Sequence, residues 1–266
     1  MKITISIAQI RVKQADPEEN LRKAERLIAE ASRRNSDIIC FPEMWTTGFN
    51  WEYNEKMARD HEKIIDRIAL LAMRYKIWIN GSTLAINEES KPSNTSILFD
   101  PKGNRVGIYR KIHLFSVIGE EKHVAPGKSL CMIDAPWGLS ALTICYDIRF
   151  PELFRAYAMK GAKIVFSSMA FPYPKLEHWK VLVRARAIEN QMYVIGTNQV
   201  GSEDLGPGGR MTYCGDSVII DPWGKTVIEA SEDEEELLTA DIDMDRVDDV
   251  RSSMKVLKDR RPELYG

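Results

Sequence analysis

The chain opens on ITISIAQI (3–10), a β-rich run, and then changes period. Within DPEENLRKAERLIAEASRRNS (16–36) apolar side chains recur at Leu21, Ala24, Leu27, Ile28 and Ala31, which is the spacing of one helix face. Asp16 offers a side-chain cap to that helix and Pro17 a first-turn proline. DIICFPE (37–43) reads as a buried strand, EKMARDHEKIIDRIALLAMRY (55–75) as a second helix and IWINGSTLAIN (77–87) as a third strand. The opening pattern is therefore β-α-β-α-β.

Beyond residue 87 the periods shorten. SNTSILFD, PKGNRVGIYR and SLCMIDAPWGLSALTICYD read as short strands, with DPKG (100–103) and later DPWG (221–224) marking the turns of antiparallel ribbons. Helical spacing returns at ELFRAYAMKGA (152–162) and EHWKVLVRARAIEN (177–190), each followed by a strand, KIVFSS and MYVIGTNQ. DSVIID and KTVIEA are closing strands. Strands alternating with helices at both ends, and strand pairs between, predict an α/β fold with mixed sheets and helices on the outer faces. No Ser- or Gly-rich linker interrupts the chain, so residues 1–266 are read as a single domain. GPGG (206–209) lacks the Lys-Ser/Thr and the following helix of a phosphate loop and reads as a flexible loop before a strand. The acidic SEDEEELL reads as a solvated turn leading into the last strand.

Composition narrows the partners. With 44% hydrophobic and 29% charged residues this is the make-up of an ordinary globular protein. The 37 Lys and Arg against 39 Asp and Glu leave a formal charge of −2, which provides no basic field for nucleic acid or anionic membrane. MKITISIAQIRVKQ reads as a first strand and not as a signal peptide, and no window has the ~20 continuous apolar residues of a membrane span. A cytoplasmic protein is expected. Cys40, Cys131, Cys145 and Cys214 form no CxxC pair, and His61, His113, His123 and His178 no i, i+4 pair, so neither a metal site nor a disulfide framework is signalled.

Three stretches each place an ionisable residue where a predicted strand runs out: Glu43 in IICFPEMWTTGF, Lys111 in VGIYRKIHLF and Cys145 in LTICYD. Taken singly, Cys145 reads as packing, Lys111 as a surface neighbour of Arg110 and Glu43 as a loop carboxylate. Together, at the strand ends where α/β folds gather functional groups, they match acyl transfer through a thioester. A thiol is mostly protonated at neutral pH, so it needs a base or cation beside it. A buried Glu can take the thiol proton and later activate water, and a Lys ammonium can stabilise the tetrahedral oxyanion. The backbone N–H of Tyr146, at the strand-to-helix turn, is a second candidate donor to that oxyanion.

FPEMW, YRKIHLF and CYDIRFPELFR, in that order, closely resemble the motifs of the nitrilase superfamily of carbon–nitrogen hydrolases. The resemblance extends through IAQI, EHWKVLVRARAIENQMYV, GDSVIIDPWG and the terminal RRPELYG, and so covers the whole chain. It implies a four-layer α-β-β-α sandwich whose subunits pair through helices into a homodimer or higher homo-oligomer. It also implies that Glu43 is the general base, Lys111 the oxyanion-stabilising cation and Cys145 the nucleophile, with no cofactor. A further glutamate after the Lys positions the triad or substrate in this family. Glu120 and Glu121 adjoin there, and the family spacing to Pro126 favours Glu120.

CYDIRFPEL and HWKVLVRARAIENQ look like the ω-amidase and deaminated-glutathione amidase branch, whose substrates are small carboxylates with a terminal amide, such as α-ketoglutaramate. Arg149 is then a candidate for the substrate carboxylate, with a brace to Asp147 or Glu152 as its alternative role and Lys175 as an alternative anion partner. Phe171 and Tyr173 are candidate pocket residues. The loop after Lys111 reads SVIGEE and lacks the aspartate and proline found there in several amidases. An N-carbamoyl-amino-acid hydrolase, a nitrilase and a ligand-binding homologue without turnover are the competing readings.

Overall fold

The computed structural model describes residues 1–57, 60–205 and 209–265. The first half runs β1 (Lys2–Arg11), α1 (Pro17–Arg33), β2 (Ile38–Cys40), α2 (Trp51–Lys56), α3 (His61–Tyr75), β3 (Trp78–Ile86), β4 (Pro92–Phe99) and β5 (Arg105–Arg110). The second runs β6 (Met132–Ala135), β7 (Gly138–Ile144), α4 (Pro151–Met159), β8 (Ile164–Ser168), α5 (Leu176–Asn190), β9 (Tyr193–Thr197), β10 (Gln199–Asp204) and β11 (Arg210–Cys214). β12 (Val218–Ile220), β13 (Thr226–Glu229), β14 (Glu236–Asp243), α6 (Asp245–Ser253) and α7 (Pro262–Tyr265) complete it.

Two sheets form. One has the order β11-β10-β1-β2-β3-β4-β5, with β14 also paired to β1; the other has the order β13-β12-β9-β8-β7-β6. Alternation in the strands decides what each face meets. Ile3, Ile5, Ile7, Ile38 and Cys40 point into the core shared with the second sheet, where Leu142, Ile144 and Phe166 pack. Their neighbours Ala8, Ile10, Ile39 and Phe41 point the other way, onto Leu21, Ala24 and Ile28 of α1 and Ile64, Ile65 and Ile68 of α3. Helices α4 and α5 cover the far face of the second sheet with Phe154, Tyr157, Trp179 and Val183. The layers are therefore α-β-β-α, as the sequence resemblance implies.

The α1 start is as expected: Asp16 accepts the N–H of Glu19 at 3.0 Å and Pro17 opens the first turn. DPKG and DPWG turn β4 into β5 and β12 into β13, both antiparallel. Three expectations change. The run 37–43 is strand only over Ile38–Cys40, because Pro42 ends the ladder and releases Glu43 into a loop. The helix expected over 55–75 is two helices, α2 beginning earlier at Trp51 under an Asn50 cap and α3 beginning at His61. The acidic run is only partly a turn, since β14 begins inside it at Glu236. Residues 206–208 of the GPGG segment lie outside the described residues. Among the described residues no helix is long and apolar enough to cross a membrane.

Candidate active site

The topology brings three strand ends to one edge. β2 and β3 are parallel, β4 is antiparallel to β3, and β5 is antiparallel to β4, so β2 and β5 finish on the same side while β4 starts there. Glu43 follows β2, Lys111 follows β5 directly, and Asn94 is the third residue of β4. Cys145 follows β7 of the opposing sheet. The site thus lies where the two sheets meet.

Lys111 Nζ donates to Glu43 Oε1 at 2.7 Å and to Glu120 Oε2 at 2.8 Å. The three side chains are at most 2% exposed. Asn94 Nδ2 bridges the same two carboxylates, donating to Glu43 Oε1 at 2.8 Å and Glu120 Oε1 at 3.0 Å. Glu120 Oε2 also accepts the N–H of Phe115 at 2.7 Å, which folds the loop 115–120 back on the cluster. Glu121, in contrast, is exposed. The Glu43 loop is clamped between the two sheets, its N–H donating to Met169 O just past β8 of the second at 3.1 Å and its C=O accepting from Gln199 Nε2 in β10 of the first at 3.0 Å.

Cys145 sits at φ 42°, a left-handed conformation that costs a non-glycine residue free energy and is held only where neighbours over-determine it. Asp147 supplies that restraint. Its buried carboxylate accepts the N–H of Ile144 at 2.9 Å, the Tyr109 hydroxyl at 2.8 Å, and both the N–H and Nδ1 of His113 at 3.1 and 2.8 Å. The turn carrying the cysteine is thereby tied to β5 and to the segment just after Lys111.

Burial pushes the Cys145 thiol well above its ordinary range; Glu43 adds to this, while Lys111 and the backbone of Ala170 oppose it. Burial likewise raises Glu43, against the pull of Lys111 and with a further push from Glu120. Burial works against the Lys111 charge, but Glu120 and Glu43 outweigh it and hold the ammonium above the ordinary lysine range. The result is a neutral thiol beside a strengthened carboxylate base and a permanent cation.

A cleft of about 420 Å³ opens onto these groups, lined also by Phe49, Phe115, Ile118, Tyr146, Arg149, Phe171, Lys175 and Met211. Arg149 lies with its guanidinium carbon 5.2 Å from the Phe171 ring centre. Asp147 is committed elsewhere, and among the described residues neither Arg149 nor Lys175 pairs with a carboxylate. Tyr173 is not brought to the cleft: it is 40% exposed, and its hydroxyl donates to Glu232 at 2.9 Å. The sequence reading missed Asn94, hidden in SNTSILFD as one polar residue of a strand, and Glu203. Glu203 is buried with Oε2 accepting the Tyr213 hydroxyl at 2.7 Å and the Phe49 N–H at 3.4 Å, while Oε1 has no partner among the described residues. Burial raises its carboxyl to about 7. Gly48, at φ 66°, lets Glu203 in, since a Cβ there would lie 2.2 Å from Oε1.

This arrangement belongs to a recognisable class. The carbon-nitrogen hydrolase family profile matches residues 4–252, and the chain belongs to that family. Among its relatives, the chain is 36% identical over 266 residues to the 2-oxoglutaramate amidase of Bacillus subtilis (strain 168), covering 100% of both chains. It is 32% identical over 277 residues to omega-amidase NIT2 of Danio rerio, covering 100% of this chain and 97% of that one. An amidase from Nesterenkonia sp. AN1 superposes with a TM-score of 0.87 at 25% identity, over 99% of this chain and 95% of that one. That structure shows covalent addition of the acetamide moiety of fluoroacetamide at its active site cysteine.

Proposed function

We propose that the protein is an ω-amidase, hydrolysing the terminal amide of a small carboxylic acid to the acid and ammonia through a thioester on Cys145. The observation that carries this reading is the Lys111 ammonium held between Glu43 and Glu120 beside a buried cysteine, at the floor of a small cleft. The relatives' activities as a 2-oxoglutaramate amidase and an omega-amidase point to the same substrate class.

In the proposed cycle Glu43 accepts the thiol proton as Sγ attacks the amide carbon. Lys111 Nζ and the Tyr146 N–H hold the oxyanion, and Glu43 returns the proton to the nitrogen so that ammonia leaves. Water then attacks the thioester while Glu43 takes its proton, and collapse of the second tetrahedral adduct releases the acid and restores the thiol. Glu120 and Asn94 position Glu43 and Lys111. Preorganised donors of this kind contribute on the order of 10²- to 10³-fold each. Arg149, with Lys175 beside it in the cleft, takes the substrate carboxylate, and Phe171 orients the guanidinium.

Residues 1–266 act as one catalytic domain, a reading supported by the pairing of β1 with β14 across nearly the whole chain. A homodimer through helices is supported by Val181 and Ile188 on α5, apolar residues 63% and 49% exposed on one side of that helix. A cytoplasmic location fits four cysteines that are all free and buried.

The test is an ammonia-release screen over ω-carboxy amides, nitriles and N-carbamoyl amino acids, with Cys145→Ala as the control. Ammonia from the amides alone, lost in the control, is expected. Preferred turnover of a nitrile or an N-carbamoyl compound, or full activity in Cys145→Ala, would overturn the reading.

A further inference from the structure

A second and larger hollow, about 1440 Å³, lies beside the cleft. It is bordered by Gln14, Asn50, Lys122 and His123, and none of the groups of the proposed cycle lines it. Two residues line both spaces, Phe49 and Ile118. Two apolar residues, Phe49 and Ile118, therefore stand between a small reactive cleft and an open groove of mixed polar and apolar lining.

Both are fixed. The Phe49 N–H donates to Glu203 Oε2 at 3.4 Å, and its ring packs edge-on against Trp51 at 5.8 Å between centres. Ile118 rides on the short turn after Phe115, its N–H donating to Phe115 O at 3.2 Å, while the Phe115 N–H is bonded to Glu120. The wall is thus built onto the same loops that carry the reactive cluster.

Its position relative to the substrate follows from the charges. Arg149 and Lys175 line the cleft and not the groove. A carboxylate end drawn to those cations lies against a part of the cleft lining that the groove does not share. With the carbonyl oxygen held by Lys111 and the Tyr146 N–H, the amide nitrogen is the substituent left to face the remaining lining of the cleft, to which Phe49 and Ile118 belong.

We propose that Phe49 and Ile118 form a partition that selects ammonia as the leaving group, excluding N-substituted amides whose amine would have to enter the groove. This rests on the ω-amidase reading and adds to it which end of the substrate is measured. The groove beyond, lined also by Glu52 and Asp204 and by the apolar Trp51 and Leu205, offers both polar and apolar contacts to an amine substituent once the wall is opened. Hydrolysis of such a secondary amide consumes one water and releases the acid and a primary amine in place of ammonia, by the same bond changes.

The experiment compares kcat/KM for succinamate, its N-methyl and N-benzyl derivatives, and a primary amide with a longer acyl chain, in the wild type, Ile118→Ala and Phe49→Leu. Removing part of an apolar wall changes discrimination by about 10- to 200-fold. The secondary-to-primary ratio is therefore expected to rise at least about 10-fold in one or both variants, with no matching gain for the longer acyl chain. An unchanged ratio, or a gain confined to the longer acyl chain, would overturn the partition. So would loss of all turnover in both variants with native circular dichroism, which would place the two side chains in the reacting machinery. A wild type that hydrolyses no primary amide would instead sink the ω-amidase reading, and this inference with it.

Discussion

Glu120 Oε2 stands 2.8 Å from Lys111 Nζ, in a place where neither group reaches solvent. Lys111 therefore carries two carboxylates, and its charge is divided between them. Glu120 acts on Glu43 through this shared cation and through direct repulsion, both of which raise the affinity of Glu43 for a proton.

Substituting Glu120→Gln keeps the shape and removes one negative charge. Glu43 loses an upward push, so its basic form persists to lower pH, and the acid limb of kcat/KM moves down in pH. The turnover number falls on the order of 10²-fold as Lys111 loses an anchor. A pH–rate profile of the variant beside the wild type checks both; an unmoved acid limb would leave Glu120 as a structural residue only.

Rapid quenching during amide turnover followed by mass spectrometry is expected to find the acyl adduct on Cys145. Burial raises all four thiols, Cys131 to about 11, Cys214 to about 12, and Cys40 and Cys145 further still, so what sets Cys145 apart is the Glu43 carboxylate hydrogen-bonded to it and placed to take its proton. An adduct on Cys40, Cys131 or Cys214 contradicts the proposed cycle.

Arg149→Ala removes the cation proposed to meet the substrate carboxylate. Charge-assisted hydrogen bonds contribute about 1.5–3 kcal/mol, so kcat/KM for an ω-carboxy amide should fall by roughly 10- to 150-fold. An uncharged amide such as butyramide should lose little. Equal losses on the two substrates would show that Arg149 braces the turn instead.

Glu203 makes stability depend on pH. Its carboxyl titrates near 7 in the folded protein against 4.5 for an ordinary glutamate. Between those values the folded state holds the proton more tightly than the unfolded one, so stability is lost as pH rises through the window. The loss is about 3 kcal/mol at most. Glu203→Gln removes it, and denaturant unfolding at pH 5 and pH 7.5 should show a smaller drop in the variant. An identical drop in both proteins would remove Glu203 as its source.

Much of this was legible because long periodic segments announce themselves. The α1 face at Leu21, Ala24 and Ile28 and its Asp16 cap are local features, and three ionisable residues at strand ends could be read without knowing how the strands pair. What escaped depended on pairing. Asn94 is silent in SNTSILFD until β4 is seen to start at the edge where β2 and β5 finish. Asp147 read as a possible partner for Arg149, whereas its oxygens serve Ile144 on its own turn and Tyr109 and His113 on and after β5. Tyr173 sits two residues from Phe171, yet only Phe171 reaches the cleft, since the chain turns outward between them toward Glu232.

The pairing of β1 with β14 also sets an order of events. During synthesis Glu43, Asn94, Lys111, Glu120 and Cys145 all emerge well before residue 236, but until then β1 has an open edge from Lys2 to Gln9. An exposed strand edge of that length is a template for pairing with other chains. Every residue of the candidate site thus precedes β14 in the chain, and the first sheet is sealed along β1 only when residues 236–243 are in place.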